Sequence, residues 1–320
     1  MRNAFADELT KVAAENDKVV LLSGDIGNRL FDGYKSSFPN RFKNCGVAEA
    51  NMMGVAAGLA MSGFRPITYT ITPFITSRCF EQIRVDVCYH NVPVIIVGVG
   101  SGLGYASLGP THHSCEDIAI LRSLPNMKII CPGDAYEVRA ALREALNHDG
   151  PVYIRLGKKN EPLVHSEVPN LELGKALVVK EGNQVCILST GNILPFSLEI
   201  SKRLEMQDLS TQVVSFHTVK PLDEKLIMEA ASSHEVLITI EEGSVGGFGS
   251  HVMQLLSDRG VFDRGLKFRS MILPDIFIDQ DTPEKMYEIA GLDSSSIVNK
   301  VEETLNSNII LAKNKNKISN

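Results

Sequence analysis

Short apolar segments rich in β-branched residues alternate with helix-like segments along most of this sequence, and this alternation limits the folds that the chain can adopt. The strand-like segments lie at residues 18–23, 65–72, 92–99, 127–131, 151–156, 184–190, 211–216 and 235–241. Helical spacing is found between them, for example at 3–16, 78–85, 135–147, 193–206 and 222–232. A Pro-Gly-Asp turn at 132–134 is expected to cap the helix at 135–147. Helices that connect successive strands cover both faces of a sheet, and such sheets are mainly parallel. The sequence therefore predicts an α/β protein.

The length and composition allow more than one such sheet. A chain of 320 residues with 44% hydrophobic residues can bury a large core. We place a linker at 161–180, where charges and prolines interrupt the periodicity. The sequence thus predicts two consecutive α/β domains with mainly parallel sheets, at residues 1–160 and 181–308. A disordered, lysine-rich tail is expected at 309–320.

Charge, hydropathy and cysteine spacing exclude several classes of protein. A net charge of −6 argues against nucleic acid as a partner. The longest apolar run, at 92–100, is too short to cross a membrane, and the N-terminal segment has acids where a signal peptide has an apolar core. The six cysteines form no C-x-x-C pair, so we predict neither a disulfide framework nor a metal site in this chain. We expect a cytoplasmic protein.

One acid stands at the start of an apolar helix rich in small residues, at 44–62. If this helix begins near Val47, Glu49 lies in its first turn, and Met53, Ala56 and Ala60 extend the same face. One interpretation is that Glu49 only complements the helix dipole. The alternative is a carboxyl group kept out of water so that it can share a proton with a ligand.

Three loops follow strands or precede helices and are weaker candidates. Asp25 follows the first strand, at the sheet edge where α/β proteins bind ligands, although an Asp that stabilises a turn is an equal alternative. The loop 100–113 contains four glycines and two adjacent histidines, and its length favours a functional role. The glycine cluster 243–249 lacks the spacing of a phosphate-binding motif, which favours a structural turn.

Six segments in collinear order resemble the transketolase family, closest to the C-terminal half of transketolase and 1-deoxyxylulose-5-phosphate synthase. The quoted segments are GVAEANMMGVAAGLAMSG, the region 74–82, LGPTHHS, LRSLPNMKIICPGDAYE, TVKPLD and EEGSVGGFG. The resemblance covers residues 1–305. It implies a thiamine-diphosphate pyrimidine-binding domain followed by a transketolase C-terminal domain.

The resemblance also implies roles for individual residues. Glu49 would hydrogen-bond the aminopyrimidine ring of thiamine diphosphate, with Phe74, Arg78 and Asp25 as further cofactor-binding residues. His112, in the G-P-T-H segment, would face the substrate as a catalytic donor.

The sugar end of the site departs from the family pattern. An acid that recognises a sugar hydroxyl in the family is replaced here by Leu108. Arg155, Lys158 and Arg2 lie near positions where the family binds a substrate phosphate. The identity of the sugar is therefore left open.

The family domain that binds diphosphate and Mg²⁺ does not occur in these 320 residues. We therefore expect a separate N-terminal transketolase subunit that holds Mg²⁺, homodimerisation of this chain within an α2β2 assembly, and transfer of a two-carbon ketol unit between sugars or sugar phosphates. The alternatives are a decarboxylating thiamine enzyme, similar to 1-deoxyxylulose-5-phosphate synthase or to a 2-oxoacid dehydrogenase E1 β subunit, and a non-catalytic regulatory paralogue.

Overall fold

The structure is a computed structural model that describes residues 1–27 and 29–318. The strands are β1 (Val19–Ser23), β2 (Phe42–Asn44), β3 (Arg65–Ile71), β4 (Ile95–Val99), β5 (Lys128–Ile130), β6 (Val152–Leu156), β7 (Leu177–Lys180), β8 (Val185–Ser189), β9 (Thr211–Ser215), β10 (Thr218–Lys220), β11 (Val236–Ile240) and β12 (Lys267–Met271). None of the described helices is long and apolar enough to cross a membrane.

The α-helices vary from three residues to several turns. They are α1 (Arg2–Glu15), α2 (Asp32–Ser37), α3 (Glu49–Met61), α4 (Thr72–Ile75), α5 (Phe80–Gln82), α6 (Asp117–Arg122), α7 (Ala135–Asn147), α8 (Leu194–Glu205), α9 (Glu224–Ser233), α10 (Phe248–Asp258), α11 (Pro283–Ala290) and α12 (Ser294–Ile318). A π-helix (Ile83–Tyr89) and five short 3₁₀ turns complete the helical segments in the described part of the chain.

The first sheet has seven strands in the order β10-β5-β6-β4-β3-β1-β2. All neighbours are parallel except β10, which pairs antiparallel with β5. Successive residues of β1 face opposite sides, with Val19 and Leu21 packed beneath α1 and Val20 and Leu22 packed beneath α3. Both faces are therefore covered, which confirms the predicted fold class.

The second sheet has five strands in the order β12-β11-β8-β9-β7 and is parallel except for β7. The prediction assigned 177–180 to the linker, whereas these residues form β7 and pair with β9. The two domains also share a strand, because β10 follows β9 in the chain but completes the first sheet. Within the predicted tail, residues to 318 continue α12 and residues 319–320 lie outside the described residues, so the disordered tail stays a prediction.

Strand order in the first sheet places a crevice at its carboxyl edge. The chain leaves β1 toward β2 on one side and returns to β3 on the other side. Such a switch in direction opens a crevice between the two connections, where α/β proteins bind ligands. The segments that follow β1, β3, β4 and β6 all meet at this edge.

Candidate active site

Glu49 is the first residue of α3 and is buried, with 4% of its surface exposed. The helix begins at Glu49 rather than near Val47, which is 77% exposed. The predicted apolar face is confirmed, because Met53, Ala56 and Ala60 are all buried. A carboxyl group in the first turn faces the unpaired backbone N–H groups of the helix, which stabilises its negative charge.

The segment after β3 carries the partners of Glu49. A single helix was predicted through residues 78–85, whereas the structure breaks this region into α4, a 3₁₀ turn, α5 and the π-helix. Pro73 lies in the first turn of α4, and Thr76 follows the end of this helix with φ −105° and ψ −76°. The break directs Arg78 back to α3, where its Nη1 lies 3.1 Å from both carboxylate oxygens of Glu49. The same guanidinium lies over the ring of Phe74 at 4.0 Å.

The loop between β4 and α6 brings His112 to this group. The His112 ring lies edge-on to Phe74, with 5.2 Å between ring centroids, and 5.9 Å from the ring of Tyr105. Thr111 Oγ1 lies 2.9 Å from His112 Nδ1. The neighbouring His113 is buried inside the loop, and burial lowers its pKa. Glu49, Arg78, Phe74 and His112 therefore form one continuous set of contacts.

A cationic group lies beyond Tyr105. Lys158 Nζ lies 4.3 Å from the centre of the Tyr105 ring. Burial lowers the pKa of Lys158, and the positive charges of Lys159 and Arg2 lower it further. Arg2 Nε and the Tyr69 hydroxyl are both buried without a hydrogen-bond partner among the described residues. Unsatisfied donors of this kind beside cations suit an anion.

Arg155 is a predicted site residue that lies buried in the first sheet. It is 1% exposed in the centre of the first sheet, where its Nε lies 2.7 Å from Asp117 Oδ2. Its Nη2 donates to the carbonyl oxygens of Ser114 and Glu242. Burial opposes its charge, but the Asp117 carboxylate outweighs this effect and raises the pKa of Arg155. A guanidinium enclosed in this way has no exposed face for a substrate phosphate, so the structure gives no support to the predicted role of Arg155.

Two other predicted residues lie at the periphery. Asp25 is exposed after β1 and accepts a hydrogen bond from Asn44 Nδ2 at 3.0 Å. No contact within the described residues joins Asp25 to Glu49 or Phe74. Leu108 ends a 3₁₀ turn in the His112 loop and is 49% exposed. Their predicted roles stay predictions.

Sequence reasoning missed Tyr105 and Asp117. Tyr105 is the only aromatic residue between Gly100 and Thr111, and its ring would collide with any side chain at Gly100. The occurrence of a single aromatic residue, Tyr105, in a glycine-rich loop was a signal that could have been used. The small neighbouring residues leave room for such a ring to lie over a binding site. Asp117 had no such signal, because its pairing with Arg155 depends on a contact across 38 residues.

The residues around Glu49 fit the ring of an aminopyrimidine cofactor. A buried carboxyl group can share a proton with a ring nitrogen, and the Phe74 ring, which contacts the Arg78 partner of Glu49, supplies an aromatic surface. No cluster of three or more potential metal ligands occurs among the described residues.

Two family models match the chain. Residues 1–162 match the model described as "Transketolase, pyrimidine binding domain". Residues 174–297 match the model described as "Transketolase, C-terminal domain". The boundary between the two matches falls in the irregular segment before β7.

Solved structures show the same similarity. A structure described as "Split gene transketolase, inactive beta4 tetramer" has 35% sequence identity and a TM-score of 0.85, and the match covers 95% of this chain and 97% of that chain. Two mutant transketolases from Pichia stipitis match with TM-scores of 0.78 and 0.79 at 19% identity. The present chain spans 45% of their length, and at that identity they show the shared fold alone.

Proposed function

Because this chain belongs to the transketolase family, we propose that it is the C-terminal subunit of a split, thiamine-diphosphate-dependent transketolase. In this role it transfers a two-carbon ketol unit between sugars or sugar phosphates, and a separate N-terminal subunit completes the active site. The observation that carries the proposal is the position of Glu49, a buried carboxyl group paired with Arg78, whose guanidinium lies over the Phe74 ring that contacts His112.

Glu49 is the residue that handles a proton at the cofactor ring. Thiamine diphosphate, when bound, supplies a nucleophilic carbon for the ketol transfer. Glu49 holds a proton against a ring nitrogen of the aminopyrimidine and so controls the protonation state of that ring. Both of its oxygens contact Arg78 Nη1 in the structure, and we expect this contact to open when the ring occupies the site.

His112 faces the substrate. In the tautomer whose Nδ1 accepts the Thr111 hydroxyl proton, the ring proton is on Nε2 and can be donated to a substrate oxygen as negative charge develops there. Contacts with Phe74 and Tyr105 fix the plane of the imidazole. Lys158 and Arg2, beyond Tyr105, are the residues that receive a substrate phosphate.

The partner subunit supplies Mg²⁺ and the diphosphate site. The described residues contain no cluster of potential metal ligands, and the relative with 35% identity is described as the product of a split gene. An anionic diphosphate without its metal would bind weakly. We therefore propose an assembly that contains this chain as a homodimer together with two N-terminal subunits.

Reconstitution tests this function. Mixing the chain with its N-terminal partner, Mg²⁺ and thiamine diphosphate should produce ketol transfer that neither subunit performs alone. Calorimetry with the isolated chain should show only weak binding of thiamine diphosphate. Tight stoichiometric binding by this chain alone, or a reconstituted complex without thiamine-dependent turnover, would refute the proposal.

A further inference from the structure

The loop that carries His112 is supported from below by the C-terminal domain. Leu103 and Ala106 of this loop are buried in one apolar cluster with residues of the second domain. The cluster members from that domain are Leu273, Ile278, Met286 and Leu292. Tyr287 packs against the same cluster from its edge. The loop therefore has its own contact with the C-terminal domain.

A chain of side-chain hydrogen bonds crosses the domain boundary at the start of this loop. Ser101 Oγ donates to Asn192 Oδ1 at 2.7 Å, and Asn192 Nδ2 donates to Glu242 Oε2 at 2.5 Å. The Tyr287 hydroxyl donates to the other oxygen, Glu242 Oε1, at 2.5 Å. Ser101 and Glu242 are 1% and 2% exposed, so these charge-assisted bonds lie in a low dielectric and hold a defined geometry.

Backbone contacts attach the two ends of the loop to Glu242. Gly102 and Ser114 form an antiparallel bridge that closes the loop. A Cβ at Gly102 would lie 2.4 Å from Glu242 Cβ, so the loop backbone rests directly on this residue. Arg155 Nη2 holds the carbonyl oxygens of Ser114 and Glu242 at 2.9 and 2.8 Å.

We propose that Glu242 is a positioning residue which, with Asn192 and Tyr287, sets the geometry of the His112 loop from the C-terminal domain. Both carboxylate oxygens of Glu242 already accept hydrogen bonds, so the residue acts by holding the loop and not by contacting substrate. The catalytic consequence rests on the proposed function of His112. The structural link between Glu242 and the His112 loop is independent of that proposed function.

Tyr287→Phe removes one donor to Glu242 and keeps the aromatic ring, which stacks on Phe196. In the reconstituted complex we expect kcat to fall about tenfold, because small displacements of a catalytic group are costly. The affinity for thiamine diphosphate should stay within about twofold. Tyr136→Phe is the matched control, since the Tyr136 hydroxyl makes no hydrogen bond within the described residues.

Histidine resonances provide a readout that does not need activity. In the full-length chain labelled at histidine, Tyr287→Phe should shift the His112 ring signals, assigned from a His112→Gln spectrum. The exposed His90 should be unaffected. Unchanged His112 signals would overturn the proposal, even if kcat fell. Shifted His112 signals in a chain whose wild-type complex transfers no ketol group would support positioning and refute the proposed function.

A double-mutant cycle tests whether the chain of bonds acts as a unit. Ser101→Ala removes the first donor, on the other side of the domain boundary from Tyr287. If both substitutions act through Asn192 and Glu242, the double variant should lose much less than the product of the two single effects on kcat. If the loss of kcat in the double variant equals the product of the two single losses, the two residues do not act through the same chain of hydrogen bonds.

Discussion

Arg155 and Asp117 form an ion pair that is almost completely buried, with side chains 1% exposed. Removing one partner of such a pair leaves the other charge in a low dielectric without compensation. We therefore expect Arg155→Met to lower the free energy of unfolding by about 3 to 5 kcal/mol, measured by urea denaturation. Arg203→Met, which removes a half-exposed helix pair with Glu199, should cost at most about 1 kcal/mol.

The Arg155 result separates a structural role from a substrate role. If Arg155→Met were nearly as stable as the wild type yet raised KM only for phosphorylated substrates, the buried-pair interpretation would be wrong. Adding Asp117→Asn to Arg155→Met should recover part of the lost stability, because the uncompensated charge is removed.

Lys158 is the cation that we expect to contact a substrate phosphate. Lys158→Met should raise KM for phosphorylated sugars about tenfold, because a charge-assisted hydrogen bond is lost, and should change KM for unphosphorylated analogues little. The control is Lys225→Met, which removes an exposed charge on α9 in the second domain. Equal changes in KM for phosphorylated and unphosphorylated substrates would show that Lys158 does not bind the substrate phosphate.

The resemblance to the family leads us to propose that Leu108 stands in place of an acid that would recognise a sugar hydroxyl. A substrate hydroxyl facing Leu108 lacks a charge-assisted hydrogen bond worth about 1.5 to 3 kcal/mol, or about 10- to 150-fold in kcat/KM. We expect Leu108→Asp to shift selectivity toward acceptors that carry this hydroxyl. The measurement is kcat/KM on matched hydroxy and deoxy acceptors. If the wild type already prefers the hydroxylated sugar and Leu108→Asp does not change this preference, Leu108 has only a packing role and the selectivity argument is wrong.

At the scale of elements, the sequence predicted the long strands and helices because their patterns are local. The strands 184–190 and 235–241 were observed as β8 and β11, and Asp134 caps α7 as expected. Strand β10 has three residues, and its identity depends on pairing with the edge of β5, which no local pattern encodes. The breaks in the helix predicted after β3 were likewise missed, because residues 78–85 have helical spacing, whereas the observed path depends on distant contacts such as that of Arg78 with Glu49.

The same distinction applies to the candidate site. Glu49 and His112 stand in segments with their own local signal, an acid on an apolar helix and a glycine-rich loop. Arg155 looked similar to Lys158 in the sequence, because burial in a central strand and pairing with Asp117 are set by tertiary structure. The support of the loop by Glu242 comes from the other domain and could not be predicted from either segment alone.

Asp134, at the start of α7, connects this helix to the segment that contains Val164 and His165. The contacts of Asp134 with His165 should make the free energy of unfolding of the protein depend on pH. Asp134 caps α7 and also accepts the backbone N–H groups of Val164 and His165, each at 2.8 Å. His165 Nδ1 lies 3.2 Å from Asp134 Oδ2, and this hydrogen bond raises the pKa of His165. Burial opposes ionisation of Asp134, but its hydrogen bonds lower the pKa of that carboxyl.

A raised pKa in the folded state means that the His165 contribution is fully present below its unfolded pKa, about 6.5, and is lost as pH rises through the folded value. Asp134 acts only at much lower pH, where its contribution is lost as pH falls. Between about pH 6 and 9, the free energy of unfolding should therefore fall more in the wild type than in His165→Gln. Parallel pH profiles of the two proteins in urea denaturation would contradict this assignment.

At the scale of the whole molecule, we propose that the chain presents one side of an active site at the carboxyl edge of its first sheet, built around Glu49. The most direct test is kcat of the reconstituted complex containing Glu49→Gln, with Glu81→Gln as a control that changes an exposed glutamate on a nearby helix. An amide cannot exchange a proton with the ring as a carboxylic acid does. The account predicts a complex that still binds thiamine diphosphate and turns over about 10² to 10⁴ times more slowly. A Glu49→Gln complex within threefold of the wild type would contradict it.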